Sequence, residues 1–496
     1  MIKNFLVNLS KKITLDKEAI WLFAILIVAF FLRFYHLGYR DFWYDEVSTV
    51  AYAKYPWANW NAPLYWTLLH YWVKFFGISE FSLRLPSVIF SSAAVGLTYL
   101  LGKELFGRKT GIFASIFIGL SPFHLWYAQE ARDYSMVLFW GTLSSYLFYK
   151  ALHGNSKRLW ALFTLSSVAG IYTNYFYLVL LVAQSFFVIF DNKEDLKNTL
   201  PYLLMIALAF LPYSARFLDK FNSVRVKFWI PDPGRNSLII TLENFVLGFN
   251  GFPIVYSMST VLAGILLVTA FARAHRENLT RQFNFCLFLS LLPICCIFIF
   301  SKVFFSIYLE RGLILFSPYY YIILSLGLNY LHKLSKIISI AGLFLLFSIS
   351  GYRYLNDYLT DNPSHHIGAC LKGPIKPIVK FLNINAKKED AVILASESIT
   401  PPIIFYSNKA ESNFEYIHYC GLKDQSRNSF DAIISRIASQ SASNIFLVSA
   451  NLWGGADSVH GYPLKVWCDK NLNLERIYEF DEISIFKYGY DLKPVS

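Results

Sequence analysis

Long apolar runs separated by short polar stretches fill the first 355 residues of the chain. A run of about 20 apolar residues is long enough to cross the hydrocarbon core of a bilayer as a helix. The pattern therefore predicts a polytopic α-helical membrane protein with about eleven spans. They lie near Ala19–Leu37, 84–102, 111–127, 134–152, 159–177, 176–191, 199–217, 254–273, 282–301, 312–331 and 335–353.

Basic residues predict how these spans are oriented. Lys3, Lys11 and Lys12 precede the first span, so we expect a retained first helix whose N-terminal end is cytoplasmic. From that start, each predicted inner loop carries at least two Lys or Arg, as the positive-inside rule requires. The inner loops are 103–109, 150–158, 191–198, 273–281 and 332–336. An odd number of spans places the C-terminal segment on the outer side.

The composition of the chain changes from mainly apolar to polar after residue 355. The segment 356–496 is polar, and two helical stretches, Ile375–Leu382 and Phe430–Ser439, alternate with short β-rich runs. Alternating strands and helices predict a small α/β domain, extracytoplasmic in this topology. It has no glycine-rich phosphate loop, so we predict no nucleotide site. The β-rich runs are 391–395, 444–448 and 482–486.

Composition narrows the class of protein. The chain is 55% hydrophobic and 16% charged, whereas soluble domains carry about 25% charged residues. This excludes a soluble enzyme, a disordered chain and a fibrous repeat. The net charge of +12 is explained by inner loops that face anionic membrane lipid. No basic stripe or recognition motif points to nucleic acid.

Two adjacent carboxylates follow the first span. Asp45 and Glu46 stand among aromatic residues in the predicted external loop 39–84. Adjacent carboxylates repel each other, so one of them should have a raised pKa or a cationic partner. Such a pair can supply a general base and a second acid that orients the site. A solvated loop with an interfacial aromatic belt is the alternative.

Two further clusters on the same face combine acids with arginines. In the predicted external loop 128–134, Glu130 and Asp133 would share a face if the segment were helical. Arg132 could pair with either acid or bind a phosphate as a planar fork. Arg311 stands before a later span. Salt bridges and anchors at helix ends are the alternatives.

Two aromatic segments lie on the same predicted face. They are Asn61–Trp66 and Tyr172–Tyr177, and packing explains each of them better when it is taken alone. The apolar runs contain almost no charge, so the polar clusters at one edge indicate a single active site at the outer membrane surface. We find no serine elbow, zinc-ligand spacing or Walker motif.

The order of these motifs along the chain resembles a known pattern. The acidic pair is followed by Asn61-Ala62-Pro63-Leu64-Tyr65, Arg84-Leu85-Pro86-Ser87, Glu130-Ala131-Arg132-Asp133-Tyr134, and Tyr308 with Arg311. Between about Ile20 and Ser335 the chain resembles the membrane-bound C-type glycosyltransferases. The resemblance is to the bacterial relatives of the protein O-mannosyltransferases (glycosyltransferase family 39) and to the aminoarabinose transferase of lipid A.

The resemblance implies an inverting transfer of a sugar from a polyprenyl-phosphate donor to an acceptor hydroxyl. The reaction would take place at the outer face of the cytoplasmic (inner) membrane, in a catalytic domain formed by residues 1–355. Asp45 would act as the general base, and Glu46 would orient the site or the acceptor. The acceptor could be a lipid, a glycan or a protein, and the sugar is not specified.

The resemblance also assigns the remaining candidate residues. Arg132, Arg311 and Tyr308 would bind the donor phosphate, and the site-shaping residues would be Asn61, Tyr65, Glu130, Asp133 and Tyr134. Asn61 stands where the family has a histidine, and its amide can form hydrogen bonds but carries no charge. A divalent cation, Mg²⁺ or Mn²⁺, remains open, with Asp45, Glu46, Glu130 and Asp133 as candidate ligands.

Two other classes of protein are alternatives to a glycosyltransferase. A transporter or lipid-linked sugar flippase should place polar residues at mid-membrane and is often built from inverted repeats. The sequence shows no internal repeat. A scaffold protein whose C-terminal segment binds a partner would not need acids and arginines on one face.

Overall fold

The chain divides into two compact units. The first comprises Met1–Leu37, Tyr55–Phe76 and Leu83–Gly368, and the second comprises Gly38–Lys54, Gly77–Ser82 and Ala369–Ser496. The second unit thus joins two pieces of the predicted loop 39–84 to the C-terminal segment. The computed structural model describes residues 17–56, 61–154, 156–226, 230–356, 363–365, 373–396, 398–412, 414, 416–418, 444–450, 456–481 and 483–489. The predicted helix Phe430–Ser439 lies outside them.

Helices occupy most of the described chain before residue 356. They are α1 (Lys17–Phe34), α2 (Tyr44–Lys54), α3 (Leu64–Phe76), α4 (Glu80–Phe106), α5 (Arg108–Leu120), α6 (Pro122–Ala128), α7 (Tyr134–Gly154), α8 (Lys157–Ile171), α9 (Tyr177–Asp191), α10 (Lys193–Phe210), α11 (Ser214–Val226), α12 (Ser237–Leu247), α13 (Pro253–Arg276), α14 (Thr280–Val303), α15 (Glu310–Leu313), α16 (Ser317–Tyr330) and α17 (Lys333–Leu355). Short 3₁₀ turns, Leu211–Tyr213 and Ile314–Phe316, join α10 to α11 and α15 to α16.

Several of these helices can cross a membrane. Within the described ranges, six helical segments are long and apolar enough, and the bent pair of α5 and α6 makes up to seven. Helices α1, α9 and α12 are also apolar but shorter. The protein is therefore a multi-pass helical membrane protein, and the total of eleven spans stays a prediction. The six segments are Glu80–Phe106, Glu194–Val226, Pro253–Arg276, Thr280–Val303, Glu310–Tyr330 and Leu334–Leu355.

Helix α16 lies at the centre of the first unit. Its residues from Ser317 to Leu328 are all buried, and it packs against α5, α13 and α14. At Gly327 a Cβ atom would stand 1.9 Å from the carbonyl oxygen of Leu266 in α13. Small residues let membrane helices approach this closely. A helix that is apolar all round is buried among other helices, which explains the central position of α16.

A sharp break divides the predicted span 111–127. Helices α5 and α6 meet at an angle of 59°, because Pro122 has no N–H with which to continue the helical hydrogen bonds. The carbonyls of Ile118 and Gly119 then need other donors. The guanidinium of Arg33 in α1 donates to both, at 2.9 and 2.8 Å.

Arg33 is a charged residue within the first of the apolar runs, which contain almost no charge. It is fully buried. It also donates to the hydroxyl of Ser91 at 2.8 Å. The side chain is tolerated there because the broken helix beside it leaves carbonyl oxygens that only a buried donor can satisfy.

The second unit contains a five-stranded mixed sheet in the order β2-β1-β3-β5-β4. β1 pairs in parallel with β2 and β3, whereas β5 is antiparallel to β3 and β4. The elements in chain order are α18 (Ile375–Asn385), β1 (Ala391–Leu394), α19 (Thr400–Lys409), β2 (Tyr416–His418), β3 (Asn444–Ala450), α20 (Ala456–Asn471), β4 (Asn473–Phe480) and β5 (Ile483–Gly489).

Burial explains which strands the sequence pattern revealed. β1 is buried throughout and β3 nearly so, and central strands of this kind are continuous apolar runs. They lie at the predicted runs 391–395 and 444–448. Strand β4 is largely exposed and polar, so the sequence pattern did not predict it. Glu482, the first residue of the third predicted run, lies outside the described residues.

Candidate functional site

The segment after α6 carries the predicted second external loop. Residues 129–133 form a turn and not a helix, so the condition under which Glu130 and Asp133 would share a helical face is not met. Glu130 is fully buried and accepts a hydrogen bond from Trp126 Nε1 at 2.8 Å. Asp133 is also buried and accepts one from Asn174 Nδ2 at 2.9 Å. The two carboxylates are held by different partners.

Gln129 explains why this segment turns. Its side-chain amide donates to the carbonyl oxygens of Arg33 at 3.0 Å and of Tyr35 at 2.6 Å. Its side-chain oxygen accepts from the Tyr354 hydroxyl at 2.6 Å. Hydrogen bonds to residues in and after α1 and to α17 thus fix the backbone where α6 ends, and they outweigh the local helical tendency.

Arg132 lies against two aromatic rings. The carbon at the centre of its guanidinium is 5.3 Å from the ring centroid of Trp66 and 5.9 Å from that of Tyr134. Arginine stacks its flat face on aromatic rings, and its N–H groups lie in the plane of the fork. Such an arrangement preorganises a cation that can recognise a phosphate.

Segments that are distant in sequence support Arg132. Its backbone carbonyl accepts a hydrogen bond from the Ser87 hydroxyl at 3.2 Å, and the hydroxyls of Ser87 and Tyr65 are 3.3 Å apart. The start of α3 and the first part of α4 therefore lie beside the turn 129–133. Asn61 is half-buried, and its backbone carbonyl accepts from the Tyr213 hydroxyl at 3.1 Å.

The turn between α8 and α9 contributes to the same place. Sequence reasoning favoured packing for this segment, but Asn174 lies within it and binds Asp133. The Oδ1 atom of Asn174 accepts the N–H of Phe176 at 2.9 Å, which fixes the side-chain amide. Leu64 N–H donates to the carbonyl of Tyr172 at 2.7 Å and ties this turn to α3. The position of Asn174 on the predicted external face was its one signal in the sequence.

The last motif along the chain, Tyr308 with Arg311, is divided between two parts of the first unit. The Tyr308 hydroxyl hydrogen-bonds with Thr241 at 2.6 Å and donates to the carbonyl of Ser237 at 3.2 Å. Burial raises the pKa of Tyr308 above its ordinary value, so this phenol stays protonated. Glu310, which begins α15, is buried, and Arg311 is half-buried.

Tyr127 connects Arg311 with the second external loop. It is fully buried, and among the described residues its hydroxyl has no hydrogen-bond partner. Glu130, Glu310 and Arg311 are close enough to act on this hydroxyl electrostatically. The Tyr127 ring also packs edge to face on Tyr134, with centroids 5.2 Å apart. One region of the first unit therefore contains residues of all these motifs.

The acidic pair belongs to the second unit. Asp45 and Glu46 lie in the first turn of α2, where the carbonyl of Trp43 accepts the N–H of Glu46 at 3.0 Å. Carboxylates are favoured there because the first N–H groups of a helix carry a partial positive charge. Glu46 is fully buried and Asp45 partly buried. The side chain that is more open is the one predicted to act as the base.

No metal site is evident in the part of the chain that the structure describes: no three or more His, Cys, Asp or Glu side chains are grouped to hold an ion. Of the four candidate ligands, Glu130 is bonded to Trp126 and Asp133 to Asn174. Asp45 and Glu46 lie in the other unit.

Comparison with known sequences shows that parts of the chain are similar to transferases named for lipid-phosphate-linked sugars. Residues 61–216 match the family model described as dolichyl-phosphate-mannose-protein mannosyltransferase. A stretch of 205 residues is 27% identical to the undecaprenyl phosphate-alpha-4-amino-4-deoxy-L-arabinose arabinosyl transferase of Wigglesworthia glossinidia brevipalpis. That match covers 36% of this chain and 36% of the relative, so it spans about a third of each.

Solved structures share the fold over a greater length. ArnT from Cupriavidus metallidurans has a TM-score of 0.57 in its apo state, at 10% identity, covering 95% of this chain and 98% of that one. Its complex with undecaprenyl phosphate has a TM-score of 0.55, at 10% identity, with 96% and 99% covered.

An archaeal protein is similar as well. AglB, the oligosaccharyltransferase of Archaeoglobus fulgidus, in complex with an inhibitory peptide and a dolichol-phosphate, has a TM-score of 0.53 at 11% identity. The match covers 86% of this chain and 69% of AglB. Together these likenesses confirm the resemblance to the C-type membrane glycosyltransferases that the sequence motifs predicted.

Proposed function

We propose that this chain, which has the fold of the C-type membrane glycosyltransferases, is an inverting glycosyltransferase. It takes a sugar from a polyprenyl-phosphate donor and transfers it to an acceptor hydroxyl at the outer face of the cytoplasmic membrane. The observation that carries the proposal is the guanidinium of Arg132, which lies over the rings of Trp66 and Tyr134 at 5.3 and 5.9 Å from their centroids. A fixed cation at a membrane edge suits a lipid-linked phosphate.

The similar proteins support this choice of donor. The curated relative is named for an undecaprenyl phosphate-linked sugar, and one of the similar structures contains undecaprenyl phosphate itself. AglB was solved with a dolichol-phosphate. A polyprenyl phosphate is the chemistry that these names have in common.

The reaction needs a base and a stabilised leaving group. The acceptor oxygen attacks the anomeric carbon while Asp45 removes the hydroxyl proton. The bond between that carbon and the phosphate oxygen breaks, and the polyprenyl phosphate leaves with the electron pair. Because attack comes from the face opposite the leaving group, the anomeric configuration inverts. A positioned general base contributes roughly 10²- to 10⁴-fold to the rate.

Negative charge grows on the phosphate as it leaves, so cations there act on the transition state. Arg132 and Arg311 fill this role in our proposal. The buried Tyr127 hydroxyl, which has no hydrogen-bond partner among the described residues, can donate to a phosphate oxygen. Tyr308 stays a predicted residue for the donor phosphate, and its hydroxyl is held by Thr241 and by the carbonyl of Ser237.

The remaining predicted residues shape the site. Asp133 is oriented by Asn174 and Glu130 by Trp126, so both carboxylates have fixed directions. Tyr65 is tied to the Arg132 backbone through Ser87. We assign these side chains, with Asn61 and Glu46, to orienting the sugar and the acceptor.

The proposal is tested by reconstituting the purified protein in liposomes with labelled donors. Undecaprenyl-phosphate-linked aminoarabinose and a polyprenyl-phosphate mannose are the two donors that the relatives suggest. Fractions containing lipid, glycan or protein acceptors are added separately. We expect release of polyprenyl phosphate that depends on one acceptor class. Movement of intact donor between leaflets without cleavage would instead identify a flippase.

The Asp45→Asn variant tests the base. Asparagine keeps the shape but cannot take the proton, so we expect turnover to fall by about 10²- to 10⁴-fold while the thermal midpoint is unchanged. Asp481→Asn is the matched control, because Asp481 is exposed at a positive φ that asparagine tolerates. Normal turnover by a folded Asp45→Asn protein would refute the assignment of the base.

A further inference from the structure

The acidic-pair helix α2 is held by side chains from the C-terminal part of the second unit. Asp41 and Phe42 immediately precede this helix, and Glu80 begins α4 where the chain returns. Lys376 in α18 and Tyr406 in α19 contact these residues. Asp41, Phe42, Glu80 and Tyr406 are at most 7% exposed. The side chain of Lys376 is 45% exposed, so a partly exposed lysine covers a buried group of residues.

Lys376 joins the two ends of this network. Its Nζ atom lies 2.6 Å from Glu80 and 3.1 Å from Asp41, and its backbone N–H donates to Asp41 Oδ2 at 2.8 Å. Buried carboxylates need such a partner, because neither is fully solvated by water. Partial burial opposes the charge on Lys376, but the hydrogen bonds to Glu80 and Asp41 outweigh it and raise its pKa.

Tyr406 connects the network to the backbone in front of α2. Its hydroxyl accepts the backbone N–H of Phe42 at 2.8 Å and donates to Glu80 Oε1 at 2.6 Å. The Phe42 ring also packs on Phe405 and Tyr406, with centroids 5.7 and 6.4 Å apart. Helix α19 packs directly against α2.

These contacts point to a function for the C-terminal segment. Resting on the proposed function, we propose that it positions the catalytic base, with Lys376 and Tyr406 as positioning residues for Asp45. Asp45 lies three residues after Phe42, in the first turn of α2. Phe42 stands two residues before the helix, and the carbonyl of the residue between them accepts the first hydrogen bonds from the helix N–H groups. Fixing the backbone of Phe42 therefore fixes where the helix begins and, with it, the place of the carboxylate. Small misplacements of a reacting group are costly, since 1 Å can reduce the rate about 10²-fold.

Kinetics of the reconstituted full-length protein test the proposal. We expect Lys376→Met to lower kcat by about 10- to 100-fold and to leave KM for the donor nearly unchanged. Lys376→Arg keeps the cation and should restore most of kcat. Tyr406→Phe removes only the hydroxyl and should lower kcat in the same way. Lys487→Met is the matched control. Lys487 forms a 2.6 Å ion pair with Glu475 in the sheet of the same unit, and both side chains are partly exposed.

Hydrogen exchange measures the position of α2 without any donor. In Lys376→Met, amides of residues 42–54 should exchange faster, whereas those of α16 should not change. The exchange measurement does not depend on activity. It therefore distinguishes failure of the positioning proposal from failure of the proposed function. If the wild-type protein transfers no sugar, the proposed function fails while the exchange result still stands.

Three results would overturn the positioning proposal. One is a folded Lys376→Met, Tyr406→Phe double variant with wild-type kcat. A second is unchanged exchange at residues 42–54 in that protein. A change confined to acceptor KM, with kcat and exchange unaffected, would also overturn it, because that pattern would mean that the C-terminal segment binds the acceptor.

Discussion

Arg132 shows what single residues contribute to the site in the first unit. Its charge alone would attract any anion, but the rings of Trp66 and Tyr134 lie near its guanidinium and Ser87 binds its backbone carbonyl. Asn174 holds the neighbouring Asp133 in the same way. At this scale, function depends on neighbours that restrict side-chain freedom before the substrate arrives, so that less entropy is lost on binding.

Two substitutions of Arg132 should separate the effect of its charge on turnover from the effect of its planar geometry. Arg132→Met removes both, and we expect turnover to fall by about 10²- to 10³-fold, as when one donor to a developing anion is lost. Arg132→Lys keeps a point charge without the planar fork, so it should recover only part of that loss. Initial rates at saturating donor measure the effect. Arg476→Met, which removes an arginine stacked on Tyr478 at 5.2 Å on an exposed strand, should retain full activity.

Helices α13 and α16 show how the elements of the first unit come together. They approach each other closely at Gly327, where backbone meets backbone and there is no room for a side chain. Helix α5 ends at a proline-induced break whose free carbonyls are bound by Arg33 of α1. In lipid there is no water to form hydrogen bonds with such carbonyl groups. A neighbouring helix must therefore supply the donor.

A methyl group at Gly327 should therefore destabilise the protein. In Gly327→Ala the new carbon would collide with the carbonyl of Leu266, and overpacking of this kind costs about 1–3 kcal/mol. We expect a lower thermal midpoint in detergent, read by size-exclusion chromatography after heating. Gly264→Ala in α13 is the control, because a Cβ there meets nothing within 4 Å. Equal midpoints for the two variants would contradict the close packing.

The whole molecule combines a membrane part with a mixed sheet. Acidic-pair helix α2 belongs to the same compact unit as that sheet although more than 300 residues separate them in the chain. The predicted topology places both outside the cytoplasm. We propose that the donor is used on that side, where the polyprenyl-linked sugar and its acceptor meet.

Reporter fusions test this topology. Alkaline phosphatase is active only outside the cytoplasm, so fusions after Asp232 and after Gly489 should be active, and a fusion after Glu277 should be inactive. The reason is the excess of Lys and Arg in the loop 273–281. Activity of the fusion after Glu277 would invert the predicted orientation and move the proposed site to the inner face.

The candidate site residues could be proposed from the sequence because their chemistry is local. Asp45, Glu46 and Arg132 are charged residues next to apolar runs, and such residues stand out in any membrane sequence. Their order along the chain also matched a family pattern, and the comparisons bear out that resemblance. Asn174, Trp66 and Tyr127 were not assigned to the site, because polar and aromatic residues at helix ends are also typical of ordinary interfacial packing.

By itself the sequence determined the class of protein, the helical membrane part and the central strands of the sheet, since apolar runs report burial directly. Only the tertiary structure decided how residues distant in the chain meet. The turn at 129–133 follows from Gln129 and its bonds to Arg33 and Tyr354, and the start of α2 follows from Lys376 and Tyr406. These interactions join residues up to 364 positions apart, and no local pattern of polar and apolar residues records such a pairing.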